Sequence, residues 1–435
     1  MPLFRTIAIL IFAITHPFSL NGQTYMIKSV NVIEVESGKI KPNQEILIEN
    51  GRIKMIGVGL IVDDLTIDSF FDGTNKFLIP GLFDMHAHLG PESWLKMYLH
   101  YGITGVRIMA GNDKLLELRD SLSLVMQPNP SLYISSCLID GNPPLWGDQQ
   151  IGPVVESNTD INPILDDLLK KGYKELKVYN RLPSDQYEKI LQYAEKNNLR
   201  VSGHIPYNLG NNSFPDPRHH SVEHMDGFVQ YAKQNSFLWD SIGVEELQRT
   251  SLYNDLVIED FEEISNRIKS NGIWICPTLS LYGNIGNDLI RELIAQNEFK
   301  EELAGIFGFW RTLERLKGEF NLKYTVHSSI LSAYFKDFSE RILAGTDSPN
   351  PYNPPGQALH FELIHLAEAG FSNAQILKIA TLNAASYLNL ESELGSIEEG
   401  KIADMVLLNQ NPLEKIQATQ DIYQVFKNGK PVLNN

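Results

Sequence analysis

Leu78-Ile79-Pro80-Gly81-Leu82-Phe83-Asp84-Met85-His86-Ala87-His88-Leu89-Gly90 is the stretch on which the reading of the chain turns. An apolar run ends there in two histidines one residue apart. Side chains alternate across a strand, so His86 and His88 share a face. Two imidazoles on one face, at the end of a buried strand, can hold a single divalent cation. A strand end whose histidines only cap a hydrophobic core would read the same way. The decision therefore falls to what the rest of the chain supplies.

Outward from this stretch, residues 77–391 alternate short apolar strands with amphipathic helices, the pattern of repeated βα units. The strands are expected at 78–86, 105–109, 132–136, 175–179, 200–204, 221–224, 274–278 and 342–347. Eight is the number that a closed parallel barrel requires. Asn162-Pro163 opens a helix that stops at Gly172, with Ile164, Leu165, Leu168 and Leu169 as its apolar stripe. Ser184 opens the next, striped by Tyr187, Ile190, Leu191 and Ala194. Residues 284–340 exceed one helix and are read as extra helices over the exit of the seventh strand.

Both ends of the chain read as antiparallel β-structure. Asn50-Gly51 and Asn428-Gly429 each lie between strand-like runs, a strong signal for a two-residue hairpin. Neither end is long enough to bury a core of its own. The expectation is one small β-sandwich made from both, residues 23–76 and 392–435, beside an α/β TIM barrel. Residues 1–22 read as a signal peptide. Arg5 precedes the apolar run 6–14, and a cleavage site is available before Gln23. The run is too short to span a bilayer, which needs roughly 20 residues. The expected location is periplasmic or secreted.

Composition narrows the partners. The chain has 435 residues, 37 basic and 53 acidic, for a net charge of −16, and no basic cluster. Nucleic acid and anionic membrane are thus unexpected, a small-molecule substrate is expected, and self-association is open. Cys137 and Cys276, the two cysteines, are read as separately buried thiols.

In a barrel of this kind the chemistry sits at the C-terminal ends of the strands. Those ends bring His86 and His88 from the first strand, Lys177 from the fourth, His204 from the fifth, His224 from the sixth and Asp347 from the eighth. Each has an ordinary alternative: a hydrogen-bonded core histidine, an aspartate capping the next helix, a lysine reaching out of the barrel. Metal-ligand chemistry at five separate strand ends is hard to assign to chance.

Taken as a set, these motifs resemble the metal-dependent amidohydrolase superfamily, in its imidazolonepropionase-related and prolidase-like branch. The matching pieces are 80–88, Gly203-His204, Glu223-His224, Ala344-Gly345-Thr346-Asp347-Ser348, Pro355-Gly356 with Leu359-His360, the segment 374–384, and 395–404. The resemblance implies a bimetallic site, zinc being the first expectation. His86, His88 and Asp347 would hold the inner ion, and His204 and His224 the outer one. Lys177 would bridge them as a carbamate formed with carbon dioxide. An ammonium has no lone pair to give, whereas a carbamate offers two anionic oxygens. Lys174 lies outside the apolar strand and is the weaker choice. One departure is Ile205-Pro206 after His204, where many relatives have a small residue and a second histidine. It bears on the substrate pocket.

The implied reaction is hydrolysis of a carbon–nitrogen bond in a dipeptide or N-acyl amino acid by a metal-bridging hydroxide, with Asp347 as general acid and base. Tyr179, Tyr207 and His360 are candidates for orienting the substrate. Ordinary loop packing is an equal alternative for these three. Arg218, beside His219 and His220, could meet an anionic group, but an exposed polar loop is the preferred reading. Other readings are an ester, lactone or phosphoester hydrolase with the same metals, or a non-catalytic scaffold on the same fold. A deaminase of cyclic amidines is less favoured, because relatives of that kind usually manage with one metal and need no lysine on the fourth strand.

Overall fold

The computed structural model describes residues 23–62, 66–125, 127–207, 209, 215–232, 253 and 256–433. The expected signal peptide lies outside them. Strands β1 (Thr24–Glu34), β2 (Lys39–Glu49), β3 (Arg52–Gly57), β4 (Ser69–Asp72) and β5 (Phe77–Pro80) precede the barrel. Its strands are β6 (Leu82–Ala87), β7 (Ile103–Ile108), β8 (Ser131–Ile134), β9 (Leu138–Gly141), β10 (Val154–Val155), β11 (Glu175–Val178), β12 (Arg200–Gly203), β13 (Ser221–Glu223) and β14 (Trp274–Cys276). The chain ends in β15 (Met405–Leu408), β16 (Ile422–Lys427) and β17 (Lys430–Pro431).

The two termini meet in one eight-stranded sheet, in the order β17-β16-β15-β5-β1-β2-β3 with β4 beside β1. Both Asn-Gly turns form. Asn50 and Gly51 have φ of 54° and 79°, Asn428 and Gly429 of 49° and 73°, the pair of positive values that a tight hairpin needs. One face of the sheet encloses a core that includes Tyr25, Ile27, Val30, Ile48, Met405 and Phe426. Ile79, Val406 and Val425 of the other face join the main core with the barrel helices. The apolar surface that neither end could bury alone is covered in this way.

The run expected as one first strand, 78–86, is divided. Phe77–Pro80 pairs antiparallel with β15 and so belongs to the terminal sheet. Gly81 turns the chain into β6, and a Cβ there would lie 2.2 Å from Thr104 Oγ1. Only glycine lets the two backbones approach so closely.

β6, β7 and β8 are parallel, and β9 to β14 form a second parallel sheet. Residues 131–141 serve both sheets as the third barrel strand. Gly111 N donates to Ser136 O at 3.1 Å, and Ser136 N to Glu175 O at 2.8 Å. The eighth strand is held by single bonds rather than a full ladder. Leu343 N donates to Ile275 O (2.9 Å), Met85 N to Ala344 O (2.8 Å) and Asp347 N to His86 O (2.7 Å). The result is the ring of a TIM-barrel-like α/β fold. Helices Asn162–Lys170 and Ser184–Asn197 stand where the sequence puts them. The segment after the seventh strand holds helices Asp288–Ala295, Lys300–Thr312 and Lys317–Ile330.

Among the buried histidines outside the strand-end set are His219 and His360. His219 bonds Tyr187 Oη and Ser221 O, and His360 bonds Thr419 Oγ1 and Tyr101 O. Burial lowers the pKa of each from 6.5 to about 4. The unfolded chain therefore takes up protons below pH 6.5 that the folded chain refuses until about pH 4. Stability is full above that window and falls as pH drops through it, by about 1.4 kcal/mol per pH unit for each histidine. The urea midpoint is expected to fall between pH 7.5 and 5.5 on this account; a constant midpoint would mean that these rings are not buried neutral.

Candidate metal centre

His86 and His88 leave the end of β6, with Asp347 beside them across the seam that closes the ring. His88 Nε2 lies 2.9 Å and His86 Nε2 3.4 Å from Asp347 Oδ1. His86 is fully buried, and Asp347 nearly so. His86 Nε2 and Asp347 Oδ1 are both buried without a hydrogen bond. The ring of His224 is 4.5 Å from that of His86, and the ring of His204 is 5.0 Å from that of His224. Lys177 is buried on β11, two residues after Glu175 on the same strand face. Lys174 is exposed.

Three of the four imidazoles have their outer nitrogen committed. His86 Nδ1 bonds Glu223 Oε2, His204 Nδ1 bonds Asn180 Oδ1, and His224 Nδ1 bonds Thr278 Oγ1, each at 2.7 Å. Glu223 Oε2 and Asn180 Oδ1 can only accept, so Nδ1 of His86 and of His204 donates and Nε2 is left as a lone pair, the usual arrangement of a metal-bound histidine. The Thr278 hydroxyl holds the His224 ring in place. Burial lowers the pKa of His224 to about 3, and carries His204 down in the same direction. These rings are neutral and able to ligate.

Burial also lowers the pKa of Lys177 to about 8, against the opposing pull of Asp347. Its amine is therefore more readily unprotonated than an ordinary lysine. Burial opposes the charge of Asp347, but the surrounding imidazoles hold its carboxyl well below the usual range.

Backbone strain collects at the same place. His224, Thr278 and Asp347 have φ of 58°, 48° and 57°. Left-handed non-glycine residues cost on the order of 1–3 kcal/mol each and persist where the surroundings over-determine them.

Beneath the centre, Arg107 is fully buried between two carboxylates. Its Nε donates to Glu175 Oε2 and its Nη1 to Glu223 Oε1, both at 3.1 Å. Glu223 thus joins Arg107 to His86. Sequence reasoning missed Arg107, Glu175, Glu223, Asn180 and Thr278. The signal for the first three was charge inside otherwise apolar strands.

The donor set suits a divalent ion. His86, His88 and Asp347 present ligand atoms within 4.8 Å of one another, and two neutral imidazoles with one carboxylate are ordinary ligands for zinc and its neighbours. Another trio, His86, Glu223 and Cys276, is equally close. There, His86 Nδ1 is already spent on Glu223, and burial raises the Cys276 thiol well above its normal pKa. A protonated thiol is no ligand. Cys137 and Cys276 are both free.

The predicted substrate residues part company. The Tyr179 ring lies 4.1 Å from that of His204, and Tyr207 N donates to Asn180 O at 2.7 Å, so both stand at this end of the barrel. His360 does not. Its Nε2 bonds the carbonyl of Tyr101, which precedes β7, at the opposite, N-terminal end of the strands. Its place on a long buried helix, Gln357–Glu368, explains the difference: the sequence shows the histidine but not which end of the barrel its turn of helix meets. Arg218 is no free anion site either, being paired with Glu188 and Asp216. A cavity of about 820 Å³ between helices Asp113–Leu122 and Asn162–Lys170, lined by Cys137, Ile151 and Lys171 among others, contains none of the six strand-end residues.

A parallel α/β ring with histidines, a lysine and an aspartate at its strand ends defines a barrel hydrolase of the metal-dependent class. Residues 77–432 match the amidohydrolase family, and the chain belongs to it. It is a hydrolase acting on carbon–nitrogen bonds. It is 24% identical to a 5-methylthioadenosine/S-adenosylhomocysteine deaminase of Thermoanaerobacter pseudethanolicus over 94% of each chain. In fold it resembles bottromycin amidohydrolase (TM-score 0.71, 20% identity, 93% of this chain and 86% of that one). It also resembles a Xaa-Pro dipeptidase solved with bound methionine (TM-score 0.67, 17% identity, 94% and 99%).

Replacing Glu223 by Gln removes the anion that orients His86. Metal affinity, measured by competition with a chelator, is expected to fall about 10- to 100-fold with the fold retained. Unchanged affinity would disconnect Glu223 from the centre.

Proposed function

We propose that the chain hydrolyses an amide-type bond in a small substrate such as a dipeptide or N-acyl amino acid. In this reading His86, His88 and Asp347 hold one divalent ion, zinc by preference, and His204 and His224 a second. Lys177, as a carbamate, would supply anionic oxygen ligands to this pair. Such ions, when bound, supply a Lewis acid for the substrate carbonyl and lower the pKa of water. The observation that carries the reading is the pair of buried, unpartnered atoms, His86 Nε2 and Asp347 Oδ1, facing each other with His88 alongside. Burying two such atoms without partners is costly unless a cation lies between them.

Asp347 has the second task. With Oδ1 turned to the histidines, Oδ2 is the atom at which a proton from the attacking water is held and then passed to the leaving nitrogen. The carboxyl's depressed pKa keeps it ionised. Glu223, Asn180 and Thr278 keep the imidazoles from rotating as charge shifts. Tyr179 and Tyr207 stand where a substrate could be oriented. The terminal sheet braces the barrel from outside.

The test is a hydrolysis screen of dipeptides, N-acyl amino acids and the matching esters. Amide turnover is expected to fall about 10²- to 10⁴-fold in Asp347→Asn. Lys177→Ala is expected to lower the metal content, read by atomic emission. Turnover of esters alone would overturn the amide reading, and undiminished turnover in Asp347→Asn would remove its proton role.

We also propose export of the chain, on the strength of Arg5 and the apolar run after it. N-terminal sequencing of protein from the native host is expected to begin at Gln23; a retained Met1 would refute this. Among the described residues no helix is long and apolar enough to cross a membrane.

A further inference from the structure

The loop between β9 and β10 carries Trp146 out beside the metal centre and holds it there. Asp140, fully buried at the end of β9, accepts from Gly141 N (2.9 Å) and Arg181 N (2.7 Å) on Oδ1, and from Leu145 N (2.8 Å) on Oδ2. Arg181 in turn donates to the carbonyls of Pro143 and Pro144. Gln149 N closes a turn onto Trp146 O at 3.0 Å, and Gln150 Nε2 donates to Leu138 O on β9 at 3.2 Å. Both flanks of the tryptophan are therefore tied to the barrel.

The side chain itself is 53% exposed. Its Nε1 nevertheless donates to Tyr179 Oη at 3.0 Å, and the Tyr179 ring is the one that lies against His204. His204, Tyr179 and Trp146 form a row running from the centre to the solvent. A tryptophan used for packing would bury its large apolar faces and leave the polar edge to water. Here the polar edge is satisfied, while half of this large apolar residue stays in solvent. Ile151, farther along the loop, turns instead into the outer cavity.

We propose that Trp146 is a specificity-determining residue, the aromatic wall against which an apolar, preferably aromatic, side group of the substrate packs while its amide lies at the metal centre. This rests on the amide-hydrolase reading above. The ionic groups of the loop do not suit a charged side group. Both oxygens of Asp140 are occupied, Arg181 is engaged by carbonyls, and Asp148 is exposed and repels anions. A cation over an exposed ring gains little, whereas a flat apolar group gains over its whole face.

The test uses the metal-loaded full chain with N-acetyl-phenylalanine, N-acetyl-alanine and N-acetyl-lysine. The ratio of kcat/KM for the phenylalanine compound over the alanine compound is expected to fall about tenfold or more in Trp146→Ala, and to recover in Trp146→Phe. A loss of packing alone would lower both rates together and leave the ratio unchanged, which would overturn the proposal. So would a wild-type preference for N-acetyl-lysine. Calorimetric binding of the same three compounds to Asp347→Asn, with and without Trp146→Ala, separates the two readings. A Trp146-dependent gap in binding without amide turnover in the parent chain would sink the amide reading and keep the wall. Turnover without any such gap, or no binding of any of the three, would sink the wall.

Discussion

The constraint on which the site depends is the commitment of one nitrogen in each of three imidazoles. Glu223, Asn180 and Thr278 each hold an Nδ1 at 2.7 Å. The first two can only accept, which leaves Nε2 of His86 and His204 as lone pairs, and the third fixes the plane of the His224 ring. An imidazole free to turn over would present its N–H to a cation about as often as its lone pair. The three partners come from β13, from the residue after Tyr179 and from the end of the seventh strand. The ring must therefore be closed before the tautomers are set.

Burying charge below this centre is expensive, and the chain meets the cost with complete pairing. Arg107 reaches Glu175, Glu223, Ser221, Tyr387 and the carbonyl of Met85. Burial works against both carboxylates, but Arg107 holds each well below its usual pKa. Hydrophobic residues of equal volume would often be as stable or more so. What the ion network adds is an anion behind His86 that cannot move.

The terminal sheet and the barrel solve each other's burial problem. β5 and β6 are one continuous apolar run in the sequence, split at Gly81 so that one half lies in each unit. The segment that ends in the ligand histidines is thereby anchored at its start by a sheet drawn from both ends of the chain.

Much of this was legible in the sequence, because alternation and punctuation are local. The period of two placed His86 and His88 on one face, the Asn-Gly pairs marked both hairpins, and helix start and stop signals placed Asn162–Lys170 and Ser184–Asn197. The ends of the apolar strands drew attention to Lys177, His204, His224 and Asp347. Tertiary structure decided what depends on contacts between distant segments. It gave Leu78–Pro80 to the terminal sheet and sent His360 to the far end of the barrel. It also joined Glu223 to His86 across 137 positions and set Trp146 against Tyr179. Spacing along a chain fixes which face of its own element a residue occupies; which neighbour that face meets is fixed only when the ring closes.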